Sequence, residues 1–279
     1  TLHINQAQKD FGGGKGANQA IAASRLATDT TFISKVGKDG NANFILEDFK
    51  KAGIHTQYIL TSESEETGQA FITVDEAGQN TILVYGGANM TLSATDVEMS
   101  VDAFIGADFV VAQLEVPFEA IEQAFKIARK QNITTVLNPA PAIELPKSLL
   151  ELTDIIIPNE TEAELLTGIS INNESDMKET ATYFLDLGIS AVLITLGEQG
   201  TYCAYQEQYK MIPACNVKAI DTTAAGDTFI GAFLSELNKD LSNLESAIRL
   251  ANQASSLTVQ RKGAQASIPT RKEVEAEYN

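Results

Sequence analysis

The fold class that this sequence predicts is α/β: a doubly wound, mostly parallel sheet flanked by helices, with a small β extension. Three observations carry it. From about Asp108 onward, short β-rich apolar runs alternate with stretches of helical periodicity, the pattern of parallel strands joined by crossover helices. Two strand-like segments, 69–75 and 81–85, precede them and flank a short polar loop containing Gly78. Finally, no Pro/Gly/Ser-rich linker, internal repeat or low-complexity tract divides the 279 residues, so one domain is expected over 1–279.

Taken in order, Phe109-Val110-Val111 reads as a strand, 118–130 as a helix, Thr134 to Leu137 as a strand and Ile155-Ile156-Ile157 as another. A helix follows around Met177 to Leu187, then a strand from Ala191, then helices near Phe229 to Leu237 and Leu244 to Val259. The early pair reads as a hairpin standing apart from this series, or as an edge of the main sheet; the residues alone allow both.

Composition narrows the function classes. Apolar residues make up 44% of the chain and charged residues 20%, which suits one substantial core. Twenty basic residues face 37 acidic ones, a formal charge of −17, which argues against a nucleic-acid or anionic-membrane partner. Any phosphate site must therefore be built locally. Two cysteines, Cys203 and Cys215, permit neither a disulfide framework nor a four-cysteine zinc site, and a reducing, cytoplasmic setting fits them. No run of about 18 apolar residues and no leader-like segment is evident. His3 and His55 lack the spacing of zinc ligands or of a hydrolase triad.

The segment richest in chemistry is Asp221-Thr222-Thr223-Ala224-Ala225-Gly226-Asp227-Thr228-Phe229, which opens a helix with apolar positions Ile230, Phe233, Leu234 and Leu237. First-turn N–H groups have no intrahelical partner, and the positive end of the macrodipole stands behind them, so a small-residue turn here can receive phosphate oxygens. Asp227 is awkward beside an anion. It reads either as a helix cap or as a base that takes the proton of an attacking hydroxyl during phosphoryl transfer.

A second string, Phe11-Gly12-Gly13-Gly14-Lys15-Gly16-Ala17-Asn18-Gln19-Ala20, runs into an alanine-rich helix. Its glycines allow positive φ and close approach of a ligand, and Lys15 and Asn18 offer directional hydrogen bonds suited to hydroxyl groups. Asn159 and Glu162, in Pro158-Asn159-Glu160-Thr161-Glu162, have the spacing of a capping box.

Together these two strings, in this order, resemble the N- and C-terminal signatures of the ribokinase-like carbohydrate kinases, with Ala224 where most relatives carry Gly. The resemblance implies ATP-dependent phosphorylation of D-ribose at its primary hydroxyl, with Asp227 as base and Ala224, Ala225 and Gly226 completing the anion hole. It implies sugar binding by Gly14, Lys15, Gly16, Ala17, Asn18 and Glu115. It assigns Asn159 and Glu162 to phosphates and hydrated Mg²⁺, and the turn Thr195-Leu196-Gly197-Glu198-Gln199-Gly200, with Asn252, Gly226 and Asp227, to the nucleotide. Asp221, Thr223, Thr258, Arg261, Gly263 and Ser267 would surround an activating K⁺, mostly through carbonyls. A β-lid over about 1–11 and 69–86, and a homodimer paired through it, are implied as well. The family's first strand, ending in a sugar-binding Asn-x-Asp, has no counterpart after Thr1, and omission of an upstream segment from the sequence is expected. Deoxyribose, fructose, a ketodeoxy sugar acid or a nucleoside are alternative substrates, and a non-catalytic sugar- or nucleotide-binding protein is the alternative from another class.

Overall fold

In the computed structural model the described residues are 12–74 and 80–278. The first expected lid segment, Phe11 of the glycine string, and most of the turn between the two lid strands lie outside them. The strands are β1 (Ser34–Gly37), β2 (Ile59–Ser62), β3 (Gln69–Val74), β4 (Asn80–Tyr85), β5 (Phe109–Ala112), β6 (Thr134–Leu137), β7 (Ile155–Ile156), β8 (Ala191–Thr195), β9 (Thr201–Tyr205) and β10 (Gln208–Ile212). The helices are α1 (Lys15–Arg25), α2 (Gly40–Lys51), α3 (Ala94–Met99), α4 (Phe118–Lys130), α5 (Lys147–Glu151), α6 (Glu160–Thr167), α7 (Glu174–Asp186), α8 (Ala225–Glu236), α9 (Leu244–Thr258) and α10 (Arg271–Tyr278).

Six strands form the main sheet in the order β10-β9-β8-β7-β6-β5. β5 to β8 run parallel, while β9 and β10 fold back antiparallel. Alternation along each strand sends neighbouring side chains to opposite faces. Ala191 and Leu193 of β8 join one buried cluster with Phe229, Phe233, Ile248 and Ala251 of α8 and α9. Val192 and Ile194 join the other, with Ile121 and Phe125 of α4 and Phe184 of α7. Helices therefore cover both faces, and the central strands are mostly apolar, β7 wholly so and β8 up to Thr195, because neither face meets water.

Local signals place the helix ends. Asn173 Oδ1 accepts from the N–H groups of Ser175 and Asp176 at the start of α7, and Asp39 Oδ1 accepts from Ala42 N at the start of α2. Arg129 and Lys130 close α4 where cations favour the dipole. The pair β3–β4 forms its own antiparallel sheet, registered from Gln69 opposite Tyr85 to Val74 opposite Asn80, and so stands apart from the main sheet.

Candidate active site

The expected residues converge where the parallel strands end at their carboxyl edge, the usual ligand crevice of an open α/β sheet. Gln113 and Glu115 follow β5, Asn138 follows β6, Asn159 follows β7 and Thr195 ends β8. Asn159 forms a parallel bridge with Thr195, so two loops far apart in sequence lie side by side.

Gly14 precedes α1 with φ of 84°, a conformation that favours glycine, and the Lys15 N–H behind it donates to Glu115 Oε2 at 2.8 Å. Glu115 thus satisfies one orphan donor of the helix start and stands beside the glycine string. A Cβ on Gly16 would meet Gln113 Oε1 at 2.8 Å and displace that amide; Ala17 follows it on the half-buried first turn. Asn18 is buried. Its Nδ2 donates to Asp227 Oδ2 at 2.8 Å, while its Oδ1 is buried without a partner. This contact, across 209 positions of sequence, joins the two signature strings.

Asp227 lies in the first turn of α8. Ala224, in the left-handed conformation with φ of 61°, turns the chain into the helix. Beyond the Ala225 N–H, which donates to Thr222 O, the first-turn N–H groups of Gly226 and Asp227 have no intrahelical acceptor, and the space over Gly226 is open. Burial holds the Asp227 carboxyl above the ordinary aspartate range; hydrogen bonds from Asn18 and Gln19 and the Lys15 charge pull it down, and Glu115 pushes it up. A carboxylate in that state is a better proton acceptor than a solvated one.

Asn159 and Glu162 form the capping box expected of them: Glu162 N donates to Asn159 Oδ1 at 2.8 Å, and Asn159 N donates to Glu162 Oε2 at 2.9 Å. Glu162 is buried, and that burial raises its pKa, with Lys15 acting against the shift and Asp227 with it. Lys15 is thus within electrostatic reach of both carboxylates.

The turn 195–200 links β8 and β9. Gly197, Glu198 and Gln199 are exposed, whereas Leu196 is buried in the core and reaches this turn only through its backbone. Gly200 has φ of 110°, and its Cα approaches Ile212 O so closely that a Cβ would overlap it. Asn252, expected on the nucleotide, is buried and committed: Nδ2 donates to the carbonyls of Ile212 and Pro213, and Oδ1 accepts from Thr201 Oγ1. It holds the chain beside the turn rather than presenting an unused amide.

Asp221 ties the two expected ion loops together, accepting from Thr223 N and Gly263 N, each at 2.9 Å. Hydrogen bonds from Thr223 and Gly263 keep its carboxyl below the usual range. The side chains of the other members are occupied: Arg261 by Glu273, Thr258 by Thr228 Oγ1 and Ala254 O, Ser267 by Ala264 O. Burial pushes the Cys203 thiol up to about 12, which removes it as a nucleophile.

Three amides that sequence reading left without a role stand behind Asp227: Gln19 donates to its Oδ1, and Gln113 and Asn138 bond to Gln19. No local pattern marks them, because the bonds that link them to one another and to Asp227 span some 90 to 210 positions.

Residues 1–271 match the family described as pfkB family carbohydrate kinase. The chain is 65% identical to a ribokinase of Staphylococcus aureus over 98% of its length and 90% of that protein. It is 52% identical to a bifunctional ribokinase/ribose-5-phosphate isomerase A of Fructilactobacillus sanfranciscensis, covering 98% of this chain and 51% of that one. Its fold superposes on Arabidopsis thaliana ribokinase complexed with ribose and ATP with a TM-score of 0.90, at 32% identity, over 95% of this chain and 86% of the other. The chain belongs to the pfkB family of carbohydrate kinases.

Proposed function

We propose that the protein transfers the γ-phosphoryl group of ATP to the primary hydroxyl of D-ribose, giving D-ribose 5-phosphate and ADP. The observation that carries this reading is the Asn18–Asp227 hydrogen bond, which sets a hydroxyl-recognising string against a carboxylate at an anion-receiving helix start. The names of the S. aureus and A. thaliana relatives support ribose as the sugar. Asn18 Oδ1, buried and unpartnered, is an acceptor for a sugar hydroxyl, alongside Gly14, Lys15 and Glu115. Asp227 accepts the hydroxyl proton, the sugar oxygen bonds to the γ-phosphorus, and the bond to the β-phosphate bridging oxygen breaks with its electron pair leaving on ADP. The N–H groups of Gly226 and Asp227, presented by the Ala224–Ala225 turn, receive the charge that develops on the transferring group, and the 195–200 turn with Asn252 beside it lines the nucleotide side.

Mg²⁺, held through water by Glu162 and by phosphate oxygens, would neutralise phosphate charge; the acidic side chain at this position suits a hard cation. We place a K⁺ among the carbonyls of the Asp221–Thr223 and 258–267 loops, where it would order the run leading into Ala224. Replacement of K⁺ by a large organic cation at constant ionic strength should lower kcat; unchanged kcat and KM would remove the ion from the account.

No helix among the described residues is long and apolar enough to cross a membrane. We assign the protein to the cytoplasm, in keeping with its unpaired cysteines, and pair two copies through the β3–β4 lid. The sugar is tested by kcat/KM across ribose, deoxyribose, fructose, a ketodeoxy sugar acid and a nucleoside, with the phosphorylated position read by NMR. Ribose phosphorylated at O5 with the highest kcat/KM is expected. A larger value for another member, or binding without turnover, contradicts the reading.

A further inference from the structure

We propose that Gln19 is the positioning residue of the Asp227 base, its side-chain amide locked in one orientation by a rail of amides anchored on the strand ends. The rail starts at a group whose polarity is fixed. The Ile157 carbonyl, just after β7, can only accept, and Asn138 Nδ2 donates to it at 3.0 Å. Asn138 Oδ1 is therefore turned toward Gln19 and accepts from Gln19 Nε2 at 3.1 Å. Gln19 Oε1 then faces the other way and accepts from Gln113 Nε2. The second hydrogen on Gln19 Nε2 goes to Asp227 Oδ1 at 3.1 Å.

A flipped Gln19 would set its carbonyl oxygen against two acceptors, Asn138 Oδ1 and the Asp227 carboxylate, inside a buried site where such an arrangement is costly. The amide is thus required to donate to the base. With Asn18 on Oδ2 and Gln19 on Oδ1, both carboxylate oxygens are held and the plane of the group is set. Gln19 is 2% exposed, and both hydrogens of its Nε2 and its Oε1 are engaged by Asn138, Asp227 and Gln113, so it acts on the reaction through Asp227. The rail draws one member from the end of each of β5, β6 and β7, so the sheet itself becomes the reference frame for the base.

This assignment rests on Asp227 being the base, and Asp227→Asn assayed alongside tests that separately. The charged groups facing Asp227, Lys15 on α1, Glu115 after β5 and Glu162 on α6, are untouched by a change at Gln19. In Gln19→Met, kcat should fall roughly 10- to 100-fold with KM for ribose and for Mg-ATP little changed. The acid limb of the kcat profile should move to higher pH, because a donor to the charged carboxylate has been removed. Gln113→Leu leaves that donor in place but unlocks it, and should give a smaller loss of the same kind. If Gln19→Met does not fold, Gln113→Leu carries the test alone. A folded variant with unchanged kcat and acid limb, or one with raised sugar KM and unchanged kcat, overturns the proposal. Full turnover in Asp227→Asn would instead sink the base.

Discussion

Asp227 is placed where its charge is least welcome, buried in the first turn of α8 and within reach of Glu115 and Glu162. Desolvation outweighs the Asn18 and Gln19 hydrogen bonds and the Lys15 charge, and the net effect is a raised pKa. The sign of the consequence is definite. The folded state binds this proton more tightly than the unfolded chain, so stability falls as pH rises from the ordinary aspartate value through the folded one. Activity runs the other way, because only the ionised form accepts a proton. The acid limb of kcat/KM should therefore lie above the ordinary aspartate value of about 3.9; a limb at that value, measured with ribose and Mg-ATP below KM, would show that Asp227 is not shielded as described. At this scale the sequence was partly legible. Lys15, Asn18 and Asp227 sit in signature strings, but Gln19 reads as one more helical residue until a partner 208 positions away is seen.

The two helices that carry the site, α1 and α8, meet at Gly231, one turn beyond Asp227. A Cβ there would lie 2.4 Å from Ala22 Cβ, 2.6 Å from Ala23 N and 2.8 Å from Gln19 O. Two of those atoms are backbone and cannot yield without moving α1. Alanine gains about 1 kcal/mol in helix propensity over glycine, whereas overpacking typically costs about 1–3 kcal/mol, and here the backbone contact puts the cost in the upper part of that range. Gly231→Ala should lower the melting temperature and, by carrying Asn18 and Gln19 away from Asp227, lower kcat too. A raised melting temperature with normal turnover would mean that the helices have slack. Long helical periodicity made α4 legible with the bounds expected for it, and the β-rich run of β6 also has its expected bounds despite its four residues. The sheet's antiparallel edge, β9 and β10, mixes polar residues into both strands, so its pairing shows only in the neighbours it registers with. The short strands β1 and β2 likewise rest on packing more than on local pattern.

For the whole molecule, the order of motifs along the chain becomes one crevice because parallel strands all end on the same edge. Outside that crevice, the lid pair leaves Phe71 and Leu83, opposite each other on one face, at 55% and 64% exposure and Val84 on the other face at 68%, so both faces carry apolar surface and a second copy would cover one of them. The protein should elute as a dimer in light-scattering chromatography, and Leu83→Asp with Val84→Asp should make it monomeric; a wild type that is monomeric at micromolar concentration would remove the lid interface. The central claim is the meeting of Asn18 and Asp227, residues from opposite ends of the chain, at one point where a hydroxyl is deprotonated. Asp227→Asn tests it most directly, with turnover assayed on ribose and Mg-ATP while calorimetry follows the binding of each. The account predicts a fall in kcat of roughly 10²–10⁴-fold with nucleotide affinity largely kept, and near-normal kcat in that variant would contradict it.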